Sequence, residues 1–140
     1  MTNMSASAFV WSLCLSSAVV VLSIIPLGAA RSQANFQMDD LSAPRAMFER
    51  LPPWGKRAAW SHQNAFEAFT LHAPAALLCF VVGVTNPVAI LAAWIHPAVR
   101  LAYIGAYVGN IPPLRGLLWA SGLTCSGILY LEGLKRVLVN

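Results

Sequence analysis

Two sets of polar residues recur at helical spacing in a chain that is otherwise strongly apolar. Arg57, Ser61, Asn64 and Glu67 step by four, three and three, and His96, Arg100, Tyr103 and Tyr107 by four, three and four. At 3.6 residues per turn each set forms one stripe along a helix. Arg115 follows soon after, just beyond Pro112-Pro113. If the two helices are antiparallel neighbours, a carboxylate, an amide, guanidiniums and phenols converge towards one end of them. Such groups either pair with one another or take a ligand of complementary charge. A structural ion pair between Glu67 and Arg100 and a ligand site are both open readings here, as are an aromatic belt and ligand contact for Tyr103 and Tyr107.

The elements that position these residues follow from composition. Of 140 residues 58% are hydrophobic and only 10% charged, with a mean hydropathy of +0.64; soluble domains carry about 25% charged residues. The fold class expected is all-α, an integral membrane bundle of four transmembrane helices in a single domain, residues 1–140. A span needs roughly 20 apolar residues to cross a hydrocarbon core of about 30 Å. The first such run predicts helix 1 over about 8–30; no Lys or Arg precedes Phe9, which argues against a cleaved signal peptide. Residues 31–52 hold Asp39, Asp40, Arg45, Glu49 and Arg50, with Pro44 as a breaker, and read as the one long loop. Pro52-Pro53 opens helix 2, about 53–84. Thr85-Asn86-Pro87 is a tight turn into helix 3, about 87–109, and Asn110 to Pro113 breaks the chain before helix 4, about 113–138.

Charge and cysteine content narrow the function classes. Arg31, Arg45, Arg50, Lys56, Arg57 and Arg115 lie on one side of the bundle against Lys135 and Arg136 on the other, so the helix 1–2 loop is expected in the cytoplasm and both termini outside. The net charge of +4 is accounted for by topology and lipid headgroups, and nucleic acid is not expected as a partner. Cys14, Cys79 and Cys125 are odd in number and sit within spans, which argues against disulfides. No pair of Cys or His residues has metal-ligand spacing, and no metal is expected. His72 and His96, on apolar stretches near prolines, read as hydrogen-bonded packing residues. Trp54, Trp60 and Trp119 read as belt anchors at the interface.

The run Arg57-Ala58-Ala59-Trp60-Ser61-His62-Gln63-Asn64-Ala65-Phe66-Glu67 resembles the R-A-x-x-A-H-x-N-x-x-E signature of the MAPEG family, the membrane-associated proteins in eicosanoid and glutathione metabolism. Arg100 with Tyr107, and Pro113-Leu114-Arg115, are similar to that family's later elements in the same order. The resemblance, to a bacterial-type member, covers nearly the whole chain. It implies a homotrimer with glutathione as co-substrate between subunits, and an apolar small-molecule substrate entering from the bilayer. Carried over by motif position, Glu67 would meet the glutathione amine, Asn64 and Tyr107 would position its backbone, and Arg100, near Tyr103, would support them. Arg115 would be the catalytic residue, stabilising the thiolate. A cation beside a thiol of ordinary pKa about 8.5 raises the thiolate fraction at neutral pH.

The chain departs from the family pattern where Trp60 and Gln63 replace arginines of eicosanoid-type relatives, and where Gly116 replaces a hydroxyl residue of some members. Eicosanoid synthesis is therefore not implied, and Arg57 or Arg31 is the guanidinium left nearby to compensate. Two readings stand: a glutathione-dependent transferase or peroxidase, and a non-catalytic trimer that binds lipid or another apolar ligand. A transporter would need a polar path that helices 1 and 4 do not offer. The end Val137-Leu138-Val139-Asn140 carries no ER-retrieval signal, which fits a bacterial inner membrane.

Overall fold

The computed structural model describes residues 2–139 and, for side chains, 5–139; Asn140, which the retrieval-signal reading touches, lies outside them. Among these residues the chain is helical throughout, without strands. Helices α1 (Thr2–Leu22) and α2 (Ile24–Ser32) are followed by 3-10 turns at Met38–Leu41 and Pro44–Arg50, then by α3 (Pro53–Val81), α4 (Pro87–Val108) and α5 (Pro112–Val139). Four stretches, Ser5–Ser32, Pro53–Val81, Pro87–Val108 and Pro112–Val139, are long and apolar enough to cross a membrane.

The breaks between helices have identifiable chemical causes. At the end of α3, Gly83 takes a φ of 68°, and Val84 N–H and Gly83 N–H donate back to the carbonyls of Cys79 and Phe80. This is a Schellman stop, and it leaves Asn86 free to cap α4 by accepting Val88 N–H at 2.9 Å, with Pro87 in the first turn. The same stop recurs after α4: Asn110 at φ 57°, with Ile111 and Asn110 N–H bonded to Ala106 and Tyr107 carbonyls.

Within the first span, expected as helix 1 over about 8–30, the helix is interrupted at the single residue Ser23, whose backbone stays in the helical region at φ −64° and ψ −14°. Pro26 is the cause, since its ring cannot tolerate the carbonyl four residues earlier, at Leu22. Ser23 Oγ takes up part of the disturbance by donating to Val20 O at 2.6 Å.

Small residues line the contacts between spans. Ala75, Ala76, Ala89, Ala92 and Ala93 are buried against Phe9, Cys79 and Leu129 in one cluster, which lets helix backbones approach closely where lipid offers no hydrophobic drive to associate. The outward faces carry Val21, Ile25, Leu77, Val81, Leu91 and Leu117, all exposed. At the end holding the α3–α4 turn, Asn86 Nδ2 and Lys135 Nζ both donate to Glu132, at 2.7 and 2.6 Å, tying α5 to the hairpin.

The long loop is built rather than loose. Ala34, Met47 and Leu51 pack with Leu27 and Ala30 of α2 and Ala58 of α3. Buried Asp40 accepts Gln37 N–H at 2.8 Å and pairs with Arg50. That backbone N–H, and then the guanidinium, hold the carboxyl below its ordinary value of 3.8. Because the native value is the lower one, the charged form's contribution is complete above that range and is lost only as pH falls through the native pKa. Asp40→Asn keeps the shape but removes the charge. In detergent at neutral pH it should expose Arg45 and Arg50 to trypsin several-fold faster than wild type; unchanged cleavage would mean that the carboxylate does not hold the loop.

Candidate functional site

Pro97 lies inside α4. Lacking an N–H, it leaves the Ala93 carbonyl without its helical partner, a costly defect inside a membrane. Ser12 Oγ, from α1, donates to that carbonyl at 2.7 Å. With its one proton used, Ser12 accepts from His72 Nε2 of α3 at 2.8 Å. On its other side His72 Nδ1 shares a hydrogen bond of 3.2 Å with Ser126 Oγ of α5, a hydroxyl that also lies 3.3 Å from the Gly122 carbonyl of its own helix. Beside it His96 stacks face to face, with ring centroids 3.5 Å apart and planes within 1°, and His96 Nδ1 shares a hydrogen bond of 3.1 Å with Ser16. Both histidines are thus hydrogen-bonded packing residues, joining α1, α3, α4 and α5.

One helical turn beyond His96 stands Arg100, 4% exposed. Its Nη2 donates to Asn64 Oδ1 at 2.7 Å and to the Asn64 carbonyl at 3.1 Å. Asn64 Nδ2 in turn donates to Glu67 Oε2 at 3.0 Å, and Gln63 Nε2 to Glu67 Oε1 at 3.1 Å. The ion pair between Glu67 and Arg100 that the spacing made available does not form. Glu67 faces outward and is held by amides of its own helix, while the arginine extends past it to Asn64, whose amide bridges the two charges. The Arg100 stem needs Gly122 on α5, where a Cβ would come within 3.1 Å of Arg100 Cδ.

From Arg100 the contacts continue through the two tyrosines. The guanidinium carbon lies 4.2 Å from the Tyr103 ring centroid, Tyr103 and Tyr107 meet edge to face at 5.5 Å, and Arg115 lies over Tyr107 at 4.7 Å. Glu67, Asn64, Arg100, Tyr103, Tyr107 and Arg115 therefore form one unbroken string across α3, α4 and α5. Arg57 does not join it: its Nε donates to the Val108 carbonyl at 3.1 Å, capping the end of α4. Trp60 likewise turns away, its ring 5.6 Å from Phe48 of the long loop.

Beside the string lies a cavity of about 170 Å³, lined by Asn64, Glu67, His96 and Arg100 on its polar side and by Leu71, Trp119 and Leu123 among its apolar walls. The buried Arg100 Nε has no hydrogen-bond partner among the described residues. Trp119, which reads from sequence as a belt anchor, is a wall of this cavity, and His96 reaches it from the packing network. Their signal was their stripe: His96 is one turn from Arg100, and Trp119 is four residues from Arg115. No group of three or more His, Cys, Asp or Glu residues that could hold a metal ion occurs among the described residues.

The sequence model of the MAPEG family matches residues 6–134, a stretch that includes every residue of the string. The chain belongs to the MAPEG family. No curated protein and no solved structure matches it. Four apolar helices and MAPEG membership together make it an integral membrane protein and assign its outward leucines, isoleucines and valines to lipid.

The bridge makes a specific demand on stability. Asn64→Ala strips Arg100 of its side-chain acceptor within the bundle and should cost about 1.5–3 kcal/mol, read as unfolding of the detergent-solubilised protein. Glu67→Gln leaves that acceptor in place and should cost less than about 1 kcal/mol. Equal losses would restore the direct ion pair.

Proposed function

We propose that this MAPEG protein is a glutathione-dependent transferase or peroxidase that acts on lipophilic electrophiles or hydroperoxides, and that it works as a homotrimer. The observation that carries the reading is the unbroken string from Glu67 to Arg115. Its ends offer what the tripeptide requires. Glu67 keeps lone pairs for an ammonium, the Arg100 guanidinium belongs to a residue that lines the cavity and offers a cation to a carboxylate, and Arg115 is a cation for sulfur. Asn64, Tyr103 and Tyr107 lie between them, where the peptide backbone would run.

The chemistry would proceed as follows. Arg115 favours the thiolate over the thiol, and the proton is released to solvent. In conjugation the sulfur pair attacks an electrophilic carbon, and the displaced group leaves with that bond's electrons. With a hydroperoxide, sulfur attacks the terminal oxygen and an alcohol leaves. The sulfenic acid formed is then reduced by a second glutathione, giving a disulfide and water.

Trimer assembly has support in what a lone protomer leaves uncovered. Glu67 is exposed near the middle of α3, and an uncovered carboxylate at that depth is costly. Gly105 has open space around it and Gly109 is exposed; together they present a GxxxG face on which a second backbone can lie closely. The bias of basic residues supports a cytoplasmic position for the loop of residues 33–52 and the Arg115 end, where glutathione would be available, in a bacterial inner membrane. The second reading, a non-catalytic scaffold binding lipid in the apolar cleft, is favoured by one observation. Trp60 and Gln63 are committed to Phe48 and Glu67, and neither supplies a guanidinium to the string.

Titration of the purified protein with glutathione near neutral pH, followed by ultraviolet difference absorbance, separates the two. A saturable thiolate band is expected, and Arg115→Ala should remove it and lower conjugation by about 10²-fold while leaving the oligomer intact. Absence of the band in the wild type would favour the lipid-binding scaffold, and a band that persists in the variant would remove Arg115 from the thiolate site.

A further inference from the structure

The loop between α2 and α3 displays three large apolar side chains that its own packing does not use. Phe36, Met38 and Leu41 are 57%, 75% and 67% exposed, although the backbone that carries them is fixed by the Asp40 bonds to Gln37 and Arg50. The height of the loop is also constrained. Ala34, Met47 and Leu51 are packed against Leu27, Ala30 and Ala58, so the segment folds back along the last turns of α2 and the first turns of α3 rather than extending into water. Those turns carry Arg31, Trp54, Lys56 and Arg57, the mixture of basic and aromatic residues that marks a membrane–water boundary.

The charges of the loop suit such a boundary. Arg50 is paired with Asp40 and Lys56 with Glu49, whereas Arg45 is exposed and in no ion pair among the described residues. Exposed Asp39 is the immediate neighbour of Met38. Alternation of charged and apolar side chains on one rigid turn is poorly matched to a continuous protein interface, which excludes charge from its centre. It is well matched to a layer that is apolar on one side and aqueous on the other. The lipid-facing strip of exposed Ile24 and Ile25 on α2 leads towards it.

We propose that residues 36–41 form an interfacial foot: Phe36, Met38 and Leu41 enter the boundary between lipid headgroups and acyl chains, and Arg45 meets phosphate oxygens. The foot fixes the depth at which the end of the bundle bearing Arg115 meets the bilayer. It is independent of whether the protein handles glutathione.

The test uses the full chain reconstituted in phospholipid vesicles, with a nitroxide on Met38→Cys or Asp39→Cys in a Cys14→Ser background. At position 38 the label should be relaxed strongly by membrane-dissolved oxygen and weakly by a water-soluble nickel chelate, with the reverse at 39. Comparable access of the chelate to both positions would overturn the proposal in favour of an aqueous loop. Shielding of position 38 from both agents, with spectral broadening relieved by mixing in unlabelled protein, would overturn it in favour of contact with a second copy. Replacing Phe36, Met38 and Leu41 together by Ser should leave the fold intact, since all three are exposed, and should increase trypsin cleavage at Arg45 in vesicles several-fold. No change in that cleavage would also count against the foot.

Discussion

A membrane offers no water to a broken helix, and one such break organises this bundle. Pro97 frees the Ala93 carbonyl of α4, and the free carbonyl must find a donor from another helix. Ser12 supplies it, and with that proton used the hydroxyl accepts from His72, which shares a second hydrogen bond with Ser126 and so lies between α1 and α5. Only a few relative positions of the helices satisfy all of these bonds at once. Alanine-rich faces can slide against one another at little cost; a chain of directional bonds cannot. The network thereby specifies register, which the apolar contacts alone leave loose.

The string from Glu67 to Arg115 depends on that register. Arg100 is one turn beyond His96 on the same helix, so the stacked histidines fix where the guanidinium begins its path. Gly122 opens the path on α5, and Ser126, one turn further along, anchors the same helix to His72. A lateral shift of a few ångströms in α5 would put a side chain against the arginine stem and move Arg115 away from Tyr107. Packing and site are therefore parts of one arrangement.

Much of this was legible before any coordinates. Spans announce themselves by length and hydropathy, and helix ends by Asn86-Pro87 and Pro112-Pro113, because caps and breakers act locally. The polar stripes could be seen because helical periodicity is a local property too. What could not be read was which stripe member meets which. Glu67 and Arg100 are the pair that charge selects, yet an arginine stem can extend more than a turn, and the acceptor it reached was the neutral Asn64. Ser12 carried no local signal, because its meaning lies in the Ala93 carbonyl, 81 residues away in sequence and freed by Pro97. The interruption at Ser23 had a local cause in Pro26, but a proline near the end of an apolar run leaves hydropathy unchanged, and the run reads as continuous.

The choice of Asn64 over Glu67 as partner for Arg100 has a chemical consequence. A carboxylate locked to a buried guanidinium would have most of its charge neutralised and its oxygens occupied, and a ligand's ammonium would have to displace an arginine with few other acceptors. Two amide donors instead take one lone pair from each Glu67 oxygen and leave the negative charge in place. Arg100 is satisfied at Nη2 by dipoles that cost it no positive charge, and the residue lines the cavity. Opposite charges are thus held close, unspent and oriented by neutral groups. For a zwitterionic ligand this arrangement is better prepared than an ion pair, since binding breaks no salt bridge and each charged end meets a group already in position.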